Sequence, residues 1–415
     1  MTELLQGIGL WLVLAWPLLV ALPGVYRHLP QPYLLALAPA ALLLTTTDAA
    51  TLDMPWIVFG SGLELDTGRR WLLGMSLLLW LAAGRLTARL DRLRQPVTFT
   101  LLLITFSGQV GMILASEPVG FLCFSTLLGY GFFGLLVQGG DAGALRAARL
   151  YIAALILADL LLFEALLLAA YLQEAQRFVG FDYRLEGSPA VLYSGLVLLA
   201  FLLKAGIWPL HAWVTAALRT AAPPSRLLLM GGPVVMALLG LWRWLPAGQG
   251  LETVGQVCRG LGAAALGYAL LQALRRPQPV RRPGWLVVAL AGALLLGFGQ
   301  ARLEPDIHAL LQTLGAPLLS LVGLLPVLLL WQRPALLRTV SIGREAPWRW
   351  LCRLQCPLQC AHRCLLRTLQ TLLHAPRFDL AAPSRLVARI ETRIARWPWV
   401  MTALALLGLV LGLLA

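Results

Sequence analysis

The stretch LLAFLLKAGIWPLHAW, residues 198–213, is apolar but for one amine and one imidazole. Lys204 is the only lysine in the chain, and every other one of its 33 basic Lys and Arg residues is an arginine. An arginine stays charged at any accessible pH, whereas a desolvated lysine can release its proton. A group that must load and unload a proton therefore has to be the lysine. Nine residues separate it from Trp213, about 13 Å of helix, which is more than a lysine stem comfortably spans, so the ammonium is not expected to snorkel to the headgroups. Two carboxylates lie in another apolar run, ALILADLLLFEALLL, at Asp159 and Glu164. They are five residues apart, roughly 140° around a helix, so both cannot face Lys204 squarely. One pairs with the lysine and the other faces a cavity or a neighbouring subunit. Such a pair either relays a proton or simply fixes helix packing. Just past the lysine, His211 either passes protons between Lys204 and the aqueous side or bonds a backbone carbonyl at the interface.

Other chemistries fit less well. Cys352, Cys356, Cys360 and Cys364 fall in LCRLQCPLQCAHRC. On a continuous helix the first and last would be about 18 Å apart, while a Zn–S bond is about 2.3 Å, so one ion gathers them only if Pro357 folds the segment back. Acylation of a thiol near a membrane is the other option, and a face of reduced thiols is the plain one. Cys123 and Cys258 read as small packing residues. The histidines at 28, 211, 308, 362 and 374 offer no pair facing across a bilayer, which argues against haem. No phosphate-binding glycine loop or nucleophile–base set is present. No catalytic residue, metal or cofactor is assigned, and the chain is not expected to be an enzyme.

With 59% hydrophobic and 13% charged residues, the chain is no water-soluble domain but an all-α polytopic membrane helix bundle. Spanning helices are expected near 4–23, 31–47, 69–86, 97–115, 118–138, 146–172, 190–213, 225–245, 254–274, 284–300, 308–330 and 396–415, twelve in all. The first lacks a basic flank and reads as a membrane helix rather than a signal peptide. Gly206 and Pro209 interrupt the helix after Lys204, and broken helices at membrane depth line cavities or ion paths. The net charge of +14 does not indicate nucleic acid, because the arginines sit in short loops and write membrane orientation. Seven (69, 70, 177, 184, 243, 259, 302) fall on one side and 25 on the other, placing both termini outside and residues 332–395 in the cytoplasm. This last segment, with twelve of the arginines up to Trp397, reads as a surface lying on anionic lipid headgroups or on a partner. The bacterial inner (cell) membrane is the expected location.

KAGIWPLHAW followed by AAPPS resembles the signature of the antiporter-like membrane subunits of respiratory complex I (NADH:quinone oxidoreductase), multisubunit cation/proton antiporters and membrane-bound hydrogenases. Lys204, Pro209, Leu210, His211 and Trp213 match its lysine and Pro-Leu-His-x-Trp. Ala222, Pro223, Pro224 and Ser225 match the turn that follows, shortened. ARLYIAALILADLLLF is similar to the preceding helix, with Asp159 on the family's acid, and GSGLELDTGRRWLL to the hairpin before the third helix. The resemblance implies N-terminal helices and a hairpin (1–96), a five-helix repeat (97–245), a partial second repeat (246–331), the basic arm (332–395) and a last helix (396–415). Against the family pattern, Thr126 stands near the expected glutamate, Leu229 near a histidine and Ala316 near a lysine, and the second broken lysine helix is missing. What the resemblance implies is a shortened, degenerate member. Such a member works among other membrane subunits of a hetero-oligomeric complex and takes part in proton or cation translocation through one lysine-centred half-channel, with Asp159 or Glu164 in place of the lost glutamate. The alternative is a non-conducting docking subunit.

Overall fold

A computed structural model describes residues 2–22, 25, 29, 32–46, 49–54, 61–88, 95–173, 187–245, 252–275 and 282–332. In chain order they form α1 (Thr2–Val20), α2 (Pro32–Thr45), a hairpin of β1 (Ala50–Met54) and β2 (Ser61–Leu65), then α3 (Thr67–Thr87), α4 (Gln95–Leu114), α5 (Pro118–Val137), α6 (Ala142–Gln173) and α7 (Gly187–Ala205). The short α8 (Ala212–Thr220) follows, and then α9 (Pro223–Leu229), a π-helical turn (Met230–Val234) and α10 (Val235–Trp244), stacked as one rod. The last are α11 (Glu252–Arg275), α12 (Arg282–Leu303) and α13 (Pro305–Gln332). Among the described residues seven helices are long and apolar enough to cross a membrane, and the chain is an all-α polytopic membrane bundle. Each helix expected up to residue 330 is present. The one expected at 396–415 and the basic arm at 332–395 lie outside the described residues, apart from Gln332 at the end of α13.

Burial sorts these helices into centre and rim. The spanning window of α4 is 94% buried and that of the α9–α10 rod 89%, against 33% for α6 and 17% for α13. Lipid tails are as apolar as leucine, so helices in a bilayer associate through close packing, and here glycines allow it. A Cβ on Gly108 of α4 would lie 2.4 Å from the Leu128 backbone nitrogen of α5. The same holds between α11 and α12, where a Cβ on Gly262 would sit 2.4 Å from Leu296 N and one on Gly299 2.4 Å from Arg259 N. Both pairs therefore run backbone against backbone, leaving no room for a side chain at the crossing. Arg243 of α10 closes the end of α4, donating to the carbonyls of Met112 (2.9 Å), Ile113 (2.9 Å) and Ala115 (3.3 Å), acceptors that the helix itself leaves open.

The helix expected over 190–213 is two helices with a break between them. It ends at Gly206, whose φ of +61° is the left-handed conformation that glycine adopts without a Cβ clash. Gly206 N–H donates to the Leu203 carbonyl (3.3 Å) and Ile207 N–H to that of Leu202 (3.2 Å). The Trp213 indole adds a third hydrogen bond, Nε1 to Leu203 O at 3.0 Å. Glycine makes that bond possible, because a Cβ at 206 would stand 2.2 Å from Val214 Cγ2 and 3.0 Å from Trp213 Nε1. Pro209 sits in the turn beyond the break, after a cis Trp208–Pro209 peptide. It is thus Gly206, and not Pro209, that stops the helix. Trp213 also leans on Tyr151 of α6 with ring centroids 4.8 Å apart, locking α8 to its neighbour.

At the opposite end of α4 from Gln95, the hairpin docks on the turn into α5. Leu63 bridges Ala115, Ser116 N–H donates to the Gly62 carbonyl at 3.0 Å, and the Glu117 carboxylate accepts from Gly62 and Ser116. Burial, and then the facing Asp53 carboxylate, push the Glu117 pKa up to about 7 in spite of those bonds. The folded protein then holds the Glu117 proton more tightly than the unfolded chain does.

Two expectations follow. Trp213→Phe, which keeps the ring on Tyr151 but loses the bond to Leu203, should cost about 1 kcal/mol, and Gly206→Ala about 3 kcal/mol through a strained φ and a clash. Thermal unfolding in detergent should rank them so, and equal losses would contradict the pairing of the two residues. For Glu117 the raised pKa makes stability greatest in the ordinary carboxylate range and lower as pH rises towards and past about 7. Glu117→Gln should flatten that fall, and a wild-type slope in the variant would show the carboxyl to be uninvolved.

Candidate functional site

Lys204 lies in the last turn of α7, where its side chain points into the bundle and is 6% exposed. Nζ is 2.6 Å from Oδ1 of Asp159 on α6 and donates to Ser125 Oγ of α5 at 2.5 Å. The other carboxylate oxygen, Oδ2, is 3.4 Å from the hydroxyl of Thr126, which also bonds the Leu122 carbonyl. Two neighbouring helices thus supply the partners, α5 with two hydroxyls and α6 with the carboxylate. A cavity of about 20 Å³ adjoins Lys204, lined by Ser125, Tyr151, Pro233 and Met236 among others. A volume of that size holds one water. The ammonium carries three donors, and two are directed at Asp159 and Ser125, so a water beside it would take the third. The site is a buried amine with a carboxylate, a hydroxyl and space for one water.

The two carboxylates of α6 part company as their spacing requires. Asp159 reaches the lysine, whereas Glu164 is exposed on the outer face of α6, between the exposed Phe163 and the part of the helix that ends at Gln173. His211 caps the start of α8 and is buried among aromatic rings, 5.5 Å from Tyr268 and 5.3 Å from Trp285 between centroids. The residues standing where the family pattern has titratable groups take other places. Thr126 meets Asp159, Leu229 is fully buried at the end of α9, and Ala316 packs against the core from α13. Among the described residues no group of three or more His, Cys, Asp or Glu side chains is placed to hold a metal ion. The cysteines at 352–364 lie outside the described residues.

A second polar cluster escaped the sequence. Gln109 of α4, fully buried, donates to Ser76 Oγ (2.7 Å) and to the Gly231 carbonyl (3.1 Å), and accepts from Trp80 Nε1 at 3.2 Å. Gly231 belongs to the π-helical turn, whose Pro233 lines the Lys204 cavity. Gln109 therefore holds the turn that forms one wall of the site. The sequence does carry two signals for it: an amide inside an apolar helix, and the GGP triplet in the middle of another.

No known family profile matches the chain. Over 235 residues it is 27% identical to hydrogenase-4 component B of Escherichia coli (strain K12), an alignment covering 54% of this chain and 33% of that protein. The chain thus spans about a third of the length of this curated relative. In fold it matches a chain of the Mrp complex from Dietzia sp. DQ12-45-1b, with a TM-score of 0.63, 17% identity and coverage of 79% of this chain and 36% of that one. It also matches a chain of the membrane-bound sulfane sulfur reductase, an archaeal respiratory membrane complex, with a TM-score of 0.55, 15% identity and coverage of 71% and 68%. The chain is thus similar in sequence to a hydrogenase component and in fold to chains of two membrane complexes.

Proposed function

We propose that the chain is one subunit of a multisubunit membrane complex and takes part in proton or cation translocation through a single half-channel centred on Lys204. The observation that carries this reading is the 2.6 Å contact of Lys204 with Asp159, buried at a helix break beside a cavity large enough for one water. An amine that only fixed packing would work as well as an arginine, yet this chain, arginine-rich elsewhere, uses its one lysine here. Asp159 takes the place of the glutamate expected near Thr126, and His211 leads towards the aqueous side. Its relatives are components of such assemblies by name. The bacterial inner membrane is the location that goes with this reading. A second reading, a non-conducting docking subunit, is favoured by Leu229 and Ala316, apolar where titratable groups belong.

Flux in vesicles reconstituted with the assembled complex separates the two. Lys204→Arg should assemble and yet lose transport nearly as completely as Lys204→Ala. The alanine variant should also be destabilised by about 3–5 kcal/mol, the cost of leaving one member of a buried pair alone. Asp159→Asn should be more damaging to flux than Glu164→Gln. Normal flux in the arginine variant would assign the lysine to packing, and normal flux in the alanine variant would favour docking.

The arginine asymmetry generates a topology that accompanies this reading: both termini external, and residues 332–395 cytoplasmic against anionic headgroups or an acidic partner. Reporter fusions and accessibility labelling at Cys352 measure it. Labelling of Cys352 from outside would reverse the orientation.

A further inference from the structure

Glu164 occupies a place that lipid alone does not suit. Among the exposed residues of α6, Ala153, Leu157, Leu160, Glu164, Leu167 and Tyr171 follow one another at alternating steps of four and three, with Ile156 and Phe163 exposed beside them. That is the 3.5-residue period of a seam along which a second helix packs at a shallow angle. From first to last the seam covers about 27 Å, nearly the whole hydrocarbon thickness. It is open along its length, with Leu157 50%, Leu160 57%, Leu167 47% and Tyr171 82% exposed. Glu164 sits inside the seam, with about 10 Å of helix between it and Tyr171, farther than a two-carbon stem reaches. A carboxylate facing acyl chains at that depth costs a few kcal/mol, and such residues face protein, water or a counter-charge.

We propose that this face of α6 is the docking seam for a transmembrane helix of another subunit, one that presents a lysine, arginine or histidine to Glu164. Charge decides against a twofold contact with a second copy of this chain. Its one lysine is already paired with Asp159 inside the bundle, and a twofold contact through this seam would set Glu164 against Glu164. Asp159 and Glu164 thus divide two tasks between opposite faces of one helix, the first turned to the internal amine and the second to an external cation. The proposal rests on the chain being one subunit among several, but not on its moving ions.

The test uses the full chain in its native membranes, with p-benzoylphenylalanine placed at Leu160 or Leu167 and irradiated before extraction. The expected adduct is a second polypeptide, joined through a transmembrane helix that bears a basic residue near the cross-linked position. In parallel, Glu164→Lys should reduce recovery of that polypeptide with the purified complex roughly tenfold, in line with the ~1–2 kcal/mol of an interhelical polar contact. Glu164→Gln should retain most of it, and Glu164→Lys paired with an acidic replacement of the partner's basic residue should restore it. Adducts to lipid alone, an adduct to a second copy of this chain, or unchanged recovery in Glu164→Lys would each overturn the seam. Lys204→Arg, which should assemble, reads flux without touching this face of α6, so loss of the flux reading and loss of the seam are separate outcomes.

Discussion

An ammonium and a carboxylate in the interior of a membrane protein cost free energy to desolvate. They persist only where geometry returns it through close contact and hydrogen bonds. The 2.6 Å contact of Lys204 with Asp159 sets the terms for everything around it. It requires α6 and α7 to approach at one level, a hydroxyl from α5 to share the amine, and a helix end close by. Ser125, Thr126 and the break at Gly206 supply these, and the close glycine crossing of α4 with α5 puts Ser125 within reach.

The tryptophan of the lysine motif belongs to the same logic. Ending a helix in the bilayer exposes carbonyls that water cannot satisfy, and the indole of Trp213 reaches back over Gly206 to cover one of them, at Leu203. Lysine, glycine and tryptophan are in this sense a single device: one carries the charge, one ends the helix beside it, and one seals the end. On the far side of the cavity, Gln109 does comparable work for the π-helical turn, whose wider winding gives Pro233 its position against the site.

Helix positions, membrane class and the Lys204 motif were legible because each is a local property: apolar run length, a single amine, glycine and proline spacing. The relation of Asp159 to Glu164 was legible as an angle, though not as an assignment, since periodicity says that two residues diverge without saying which one faces inward. The helix break was placed at Gly206 and Pro209 together, and of the two it is Gly206, with its positive φ, that ends the helix. The contacts of Ser125 and Gln109 were beyond reach for another reason. Their partners lie 79 and up to 122 residues away, and nothing in a serine or glutamine names a contact made across the fold.

The solitary lysine has a consequence for chemistry done on the protein from outside. Apart from any terminal amine, the chain presents one nucleophilic nitrogen of its kind, and that nitrogen is sealed behind α5, α6 and the π-helical turn. An acylating reagent has nowhere else of that type to react, so its rate of attachment would count the moments at which those walls part. Because the remaining basic residues are guanidinium groups, the molecule carries its own single-site reporter of opening, with no residue altered.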